Sequence, residues 1–190
     1  QGRGVLIDLA HHLGRTRQAV GHDALMRILE VDGIAVEEGD MVCLHTGFAD
    51  TLLAMNRQPD VKQLHDTGSG LDGRDNKLLN WIVDVRLACL IADNPAVELV
   101  VPKLQTPTPM RRPRLPLHEH CLFKNGIHLG ELWYLTELAG WLRAVAGLVP
   151  RPSASWLAKV KKPISCCSCS AWPLISSAVA ASSSEAEAFC

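Results

Sequence analysis

The chain has 190 residues, with 19 Lys and Arg against 20 Asp and Glu, so its formal net charge is −1. At 47% hydrophobic and 21% charged it has the composition of an ordinary globular protein, enough for one sizeable core and not for two. Balanced charge gives no general attraction to nucleic acid or to an anionic membrane, and no apolar run approaches the roughly 20 residues needed to span a bilayer.

In chain order, residues 4–10 hold the apolar run VLIDLA, a short strand with Asp8 inside it. Ala24, Leu25, Ile28 and Leu29 fall on one helical face after Asp23, and Gly33 is placed to end that helix. A polar turn over residues 36–40 leads into MVCLHTG, a second strand. Residues 47–74 read as a loop-rich stretch punctuated by Gly47, Pro59, Gly68, Gly70 and Gly73. Asp75 or Asn76 can cap an amphipathic helix through Leu78, Leu79, Ile82 and Val83. LACLIADN, residues 87–94, has the continuous apolar pattern of a buried strand. Residues 102–116 contain five prolines and read as an irregular crossing segment. HCLF and IHLGELW then flank Lys124-Asn125-Gly126, which predicts a β-hairpin because Asn-Gly supplies the positive φ of a tight turn. Leu135, Leu138, Leu142 and Val145 form the stripe of a third helix. Alternating strands and helices predict an α/β fold, a mixed sheet with flanking helices, over residues 1–150. Beyond Pro150 the chain turns rich in Ser, Ala and Cys, and residues 151–190 are expected to form a poorly ordered tail.

Cys43, Cys89 and Cys121 sit singly in apolar runs and read as buried reduced thiols. Cys166, Cys167, Cys169 and Cys190 make no pair of zinc knuckles. An odd total of seven, irregularly spaced, argues against a disulfide framework and for a cytoplasmic setting. The glycine-rich stretch 66–73 follows no strand and lacks the Lys-Ser/Thr of a phosphate loop. His45 reads as a satisfied strand-end histidine, and Trp133 and Tyr134 as core.

The most informative residues are His118, Glu119 and His120 with Glu131 beyond the expected hairpin. A His and a Glu brought together there can ligate a divalent metal or act as base and acid. A two-residue turn would set His120 opposite Glu131, whereas a four-residue loop would pair His118 with Glu131. Spacing does not choose between them.

Taken together and in this order, GRGVLIDLA, EEGDMVCLHTGFAD, HDTGSGLDGRDNKLLNWI, IADNPAVE and LPLHEHCLFKNGIHLGELWYLTELA resemble the cyclase family of metal-dependent hydrolases, which includes kynurenine formamidases and isatin hydrolases. The resemblance covers about residues 2–146. It implies a swivelling β/β/α-type fold, a homodimer, and a zinc or manganese ion that activates water against a small cyclic or N-acyl amide. It also implies that His118 and Glu131 are the catalytic and metal-ligating pair, with Asp93 and Glu98 supporting them one step removed. The family's His-x-Gly-Thr-His-x-Asp block, which supplies most of the metal ligands, is not in the sequence, and His11-His12 does not replace it. The chain therefore resembles the C-terminal two-thirds of a family member with its N-terminal part missing, expected by itself to bind metal weakly. The family's closing strand is also replaced, by RPSASWLAKVKKPISCCSCS. The rival expectation is a non-catalytic fragment, or a dimerisation or binding module that has lost its metal site.

Overall fold

The structure, a computed structural model, describes residues 2–100 and 113–148. Three apolar runs become the strands β1 (Gly4–Asp8), β3 (Met41–His45) and β5 (Cys89–Ala92), joined at the edge by β6 (His128–Gly130). Their order is β1-β3-β5-β6, and every ladder in this sheet is parallel. The central strands β3 and β5 are buried along their whole length, as expected when both faces of a parallel sheet are covered. A small parallel pair, β2 (Ala19–Val20) with β4 (Gly70–Leu71), lies apart from it. The expected α/β class with flanking helices is what the chain adopts; the sheet, expected to be mixed, is parallel among the described residues, because the hairpin that would have added an antiparallel strand does not form.

Helix α1 (Leu9–Leu13) follows β1 directly, its first turn capped by the Asp8 carboxylate, which accepts the His11 N–H. The predicted helix at Asp23 is α2 (His22–Asp32), with Leu25, Ile28 and Leu29 inward. Gly33 ends it at φ 63°, and the Ile34 N–H closes the last turn on the Leu29 carbonyl. Asp75 caps α5 (Asn76–Asp84) through the Lys77 and Leu78 N–H groups, and its other oxygen takes the His22 N–H at 2.7 Å. One carboxylate thus starts α5 and fixes the start of α2. These helices bury Leu25, Ile28, Leu29, Leu78 and Ile82 against Val5, Ile7, Val42, Leu44 and Leu90. On the other sheet face, Met41, Cys43, Cys89 and Ile91 meet Leu135, just before α7 (Thr136–Leu148). Cys43, Cys89 and Cys121 are buried free thiols, as expected.

Two expectations need correction. The stretch 47–74 is not mainly loop: it holds α3 (Phe48–Ala54), α4 (Val61–Asp66) and β4. Asp60 caps α4 by accepting the Gln63 N–H, and Gly47 enters α3 at φ 78°. The hairpin is absent as well. HCLF is helical: α6 (Pro116–His118) runs on as a π-helical turn, Glu119–Lys124, and only residues after the Asn-Gly pair form a strand. Gly126 does take a positive φ, 65°, but it ends a helix there, with the Ile127 N–H bonded back to the Cys121 carbonyl at 2.8 Å. Pro116 at the first helical position and the burial of Leu117 and Cys121, one turn apart, decide for helix. Most of the proline-rich segment and all of the tail lie outside the described residues. No helix among the described residues is long and apolar enough to cross a membrane.

Candidate functional site

Parallel strands bring their C-terminal ends to one edge, where open α/β sheets place ligands. Asp8 ends β1, His45 ends β3 beside it in register, Asp93 and Asn94 follow β5, and Glu131 follows β6. The chain leaves β5 through a tight turn held by the Asn94 side chain, whose Oδ1 accepts the Ala96 and Val97 N–H groups. Val97 sits at φ 55°, an uncommon conformation for a β-branched residue, and Glu98 follows it.

Glu98 is the buried centre of the site. Its side chain is 1% exposed. Oε2 accepts the Leu117 N–H at 3.1 Å, and Oε1 accepts the His118 N–H at 3.0 Å and meets His118 Nδ1 at 2.8 Å. Gly73 makes room for it: a Cβ there would overlap Glu98 Oε2 and approach Leu117 N to 2.9 Å. On the other side of the imidazole, His118 Nε2 meets Glu131 Oε1 at 2.9 Å. Glu131 is partly open to solvent, at 37% of its side chain. The structure therefore brings His118 and Glu131 together, with Glu98 behind them. They meet across a helical turn and a strand end, not across a hairpin.

His120 is turned away, its Nε2–H donating to the Leu79 carbonyl of α5 at 3.0 Å. Asp93 does not support the pair either. Fully buried, it accepts the Thr46 N–H and Oγ1–H and the Gly47 N–H, which fixes the turn from β3 into α3. Asn94, four residues before Glu98, bonds instead to the backbone beside each carboxylate, at Val97 and at Leu132.

His45, expected to be a satisfied strand-end histidine, has one ring nitrogen paired and the other not. It is 2% exposed, its Nδ1 lies 2.7 Å from Asp8 Oδ1, and its Nε2 has no hydrogen-bond partner. Arg143 of α7 reaches the other Asp8 oxygen. Burial works to raise the Asp8 pKa, but the hydrogen bond and charge of His45, with the His11 N–H and Arg143, outweigh it and hold the carboxyl below its usual range. The signal was available: two adjacent strands each ending on a titratable residue. His12 pairs separately with Asp32 at 2.8 Å.

A carboxylate oxygen lies within hydrogen-bond distance of each ring nitrogen, Glu98 on the buried side and Glu131 on the open one. The buried side orients the ring, and the open side faces solvent. The two carboxylates lie on diverging edges of the imidazole and do not converge with it on one point. Among the described residues no group of three or more His, Cys, Asp or Glu could hold a metal ion. The described residues thus do not fit a resident zinc or manganese by themselves. Beside the site, a cleft of about 470 Å³ is lined by Phe48, Ser69, Asn94 and Glu98, with Arg17 and Arg114 among its walls.

A family model described as "Putative cyclase" matches residues 1–99. A solved structure described as a novel cyclase is 26% identical, with a TM-score of 0.59, over 75% of this chain. The chain spans 43% of the length of that protein. No curated protein matches.

Proposed function

Since the chain belongs to the cyclase family, we propose that the protein carrying it hydrolyses a small cyclic or N-acyl amide, in the manner of an arylformamidase. The observation that carries this reading is the imidazole of His118 held between buried Glu98 and solvent-open Glu131. Amide hydrolysis needs a proton taken from the attacking water and one delivered to the departing nitrogen. His118 Nε2 and Glu131 Oε1, 2.9 Å apart, are close enough to pass a proton between them and would do both in turn. Glu98 keeps the ring oriented while the proton moves, because its own oxygens are bound by two backbone N–H groups as well. The adjoining cleft offers Phe48 and Ala96 to an apolar acyl or aryl group.

The test is hydrolysis by the whole protein, with zinc or manganese supplied, of an N-formyl aryl amide, a cyclic amide and an ester control. We expect amide turnover, with His118→Ala lowering kcat/KM by about 10²–10⁴, the range of a lost acid–base group. Full activity in His118→Ala contradicts the proton role. A wild-type protein that cleaves no amide overturns the proposed activity and favours the binding-module reading.

A further inference from the structure

Glu98 and Glu131 are 33 residues apart in sequence and sit on different segments, yet each must meet one nitrogen of a single rigid ring. Asn94 touches both segments. Its Oδ1 accepts the Val97 N–H at 2.6 Å and the Ala96 N–H at 3.3 Å, which folds the turn that delivers Glu98. Its Nδ2 donates to the Ser69 carbonyl at 2.9 Å, tying that turn to the residue before β4. Its own carbonyl accepts the Leu132 N–H at 3.1 Å, directly after Glu131. Asn94 is 5% exposed, so none of these groups has water as a substitute.

The backbone on both sides needs holding. Val97, just before Glu98, and Leu132, just after Glu131, both sit at φ 55°. Such conformations are costly in a side-chain-bearing residue and persist only where the surroundings impose them. Asn94 bonds to the N–H of each: Val97 through its side chain, Leu132 through its main chain. We propose that Asn94 is a positioning residue that sets the spacing of Glu98 and Glu131 around His118, and through it the rate of proton transfer. The inference rests on the proposed role of His118.

The side-chain half of this claim can be removed alone. Asn94→Ala takes away the acceptor for Val97 and the donor to Ser69, and Asn94→Ser keeps a hydroxyl that can still accept from the Val97 N–H. Two readouts separate the placement from the chemistry. The imidazole N–H protons of His118, assigned by their loss in His118→Asn, report its two hydrogen bonds by NMR without any substrate. Kinetics of the whole protein report the reaction. In Asn94→Ala the His118 signals should move or vanish, and kcat should fall about 10- to 100-fold with KM changed little, while Asn94→Ser recovers part of both. Unchanged His118 signals in folded Asn94→Ala overturn the positioning role, as does a rise in KM with kcat intact. Moved signals with full kcat uphold the placement and overturn the proton role of His118 instead. Should Asn94→Ala fail to fold, Asn94→Ser carries the same test: unaltered His118 signals together with unaltered kcat in Asn94→Ser overturn the role.

Discussion

Glu98→Gln is a test in which the structure dictates both direction and size. The carboxylate accepts three hydrogen bonds with 1% of its side chain exposed. A Gln oxygen can replace Oε1 and keep the two bonds to His118. The amide NH2 then replaces Oε2 and faces the Leu117 N–H, donor against donor. One buried donor left unpaired costs about 1–3 kcal/mol, and each bond to a neutral rather than charged acceptor is weaker by about 1 kcal/mol. Relief from burying a charge offsets part of this, so the net destabilisation is on the order of 3 kcal/mol. With a urea m-value of about 1–3 kcal/mol/M, the unfolding midpoint should fall by about 1–3 M at unchanged slope. His118→Ala removes just one of the three bonds and should cost less. The double variant isolates the pair: a coupling of about 1–2 kcal/mol between Glu98 and His118 is expected for a hydrogen bond to a charged group. A midpoint that does not move in Glu98→Gln, or a coupling near zero, would refute the clamped imidazole.

Asp75→Ala should cost about 1–2 kcal/mol by thermal or urea unfolding, the worth of an N-cap. The His22 N–H bond, chiefly, holds the Asp75 carboxyl below its usual range, with the Lys77 and Leu78 N–H groups adding to it against burial. Its contribution is therefore complete above about pH 4, the unfolded carboxylate value, and lost as pH falls through the lower folded value. The variant should lose less stability than wild type below pH 4; parallel acid limbs contradict this. Burial pushes the Cys43 thiol up to about 12, with Cys89 adding to it, and the Cys121 thiol likewise, with Glu98 adding to it. Neither should be alkylated by iodoacetamide at pH 8 until urea unfolds the protein, and stoichiometric native labelling would contradict the burial. His120→Ala should lower kcat/KM by less than about tenfold, since His120 bonds to α5 and not to the relay; a loss as large as that of His118→Ala would place the proton carrier on the wrong residue.

The strands and long helices were legible because pattern and punctuation agreed. The apolar runs ending at Asp8, His45 and Ala92 are strands, and α2 and α5 have both a stripe and an end signal, in Gly33 and Asp75. The region around residue 120 was misread because a four-residue apolar run fits a strand or a helix equally, and an Asn-Gly pair serves a hairpin or a helix end. Burial of Leu117 and Cys121 on one helical face settles it, which is a tertiary fact. The short helices α3 and α4 hid behind Gly and Pro, although Asp60 with Gln63 is a helix-start signal.

His118 and Glu131 lie side by side, a proximity that the resemblance implies and the hairpin register does not explain, since no hairpin forms there. Glu98 touches His118, whereas the three donors that Asp93 accepts from lie in the turn after β3. Nothing in spacing marks Asn94, whose partners Ser69 and Leu132 are distant in sequence. His45 is marked only by its place at a strand end like that of Asp8, and its pairing with Asp8, which Arg143 also reaches, is a tertiary fact.

The most direct test of a proton shared by His118 and Glu131 is kcat/KM of the whole protein on an N-formyl aryl amide for His118→Ala, Glu131→Gln and the double variant. Residues that act as one unit are not additive. The double variant should be no slower than the slower single, each single having lost about 10²–10⁴. A double variant slowed by the product of the two single losses would mean that the residues act independently, and would contradict the account.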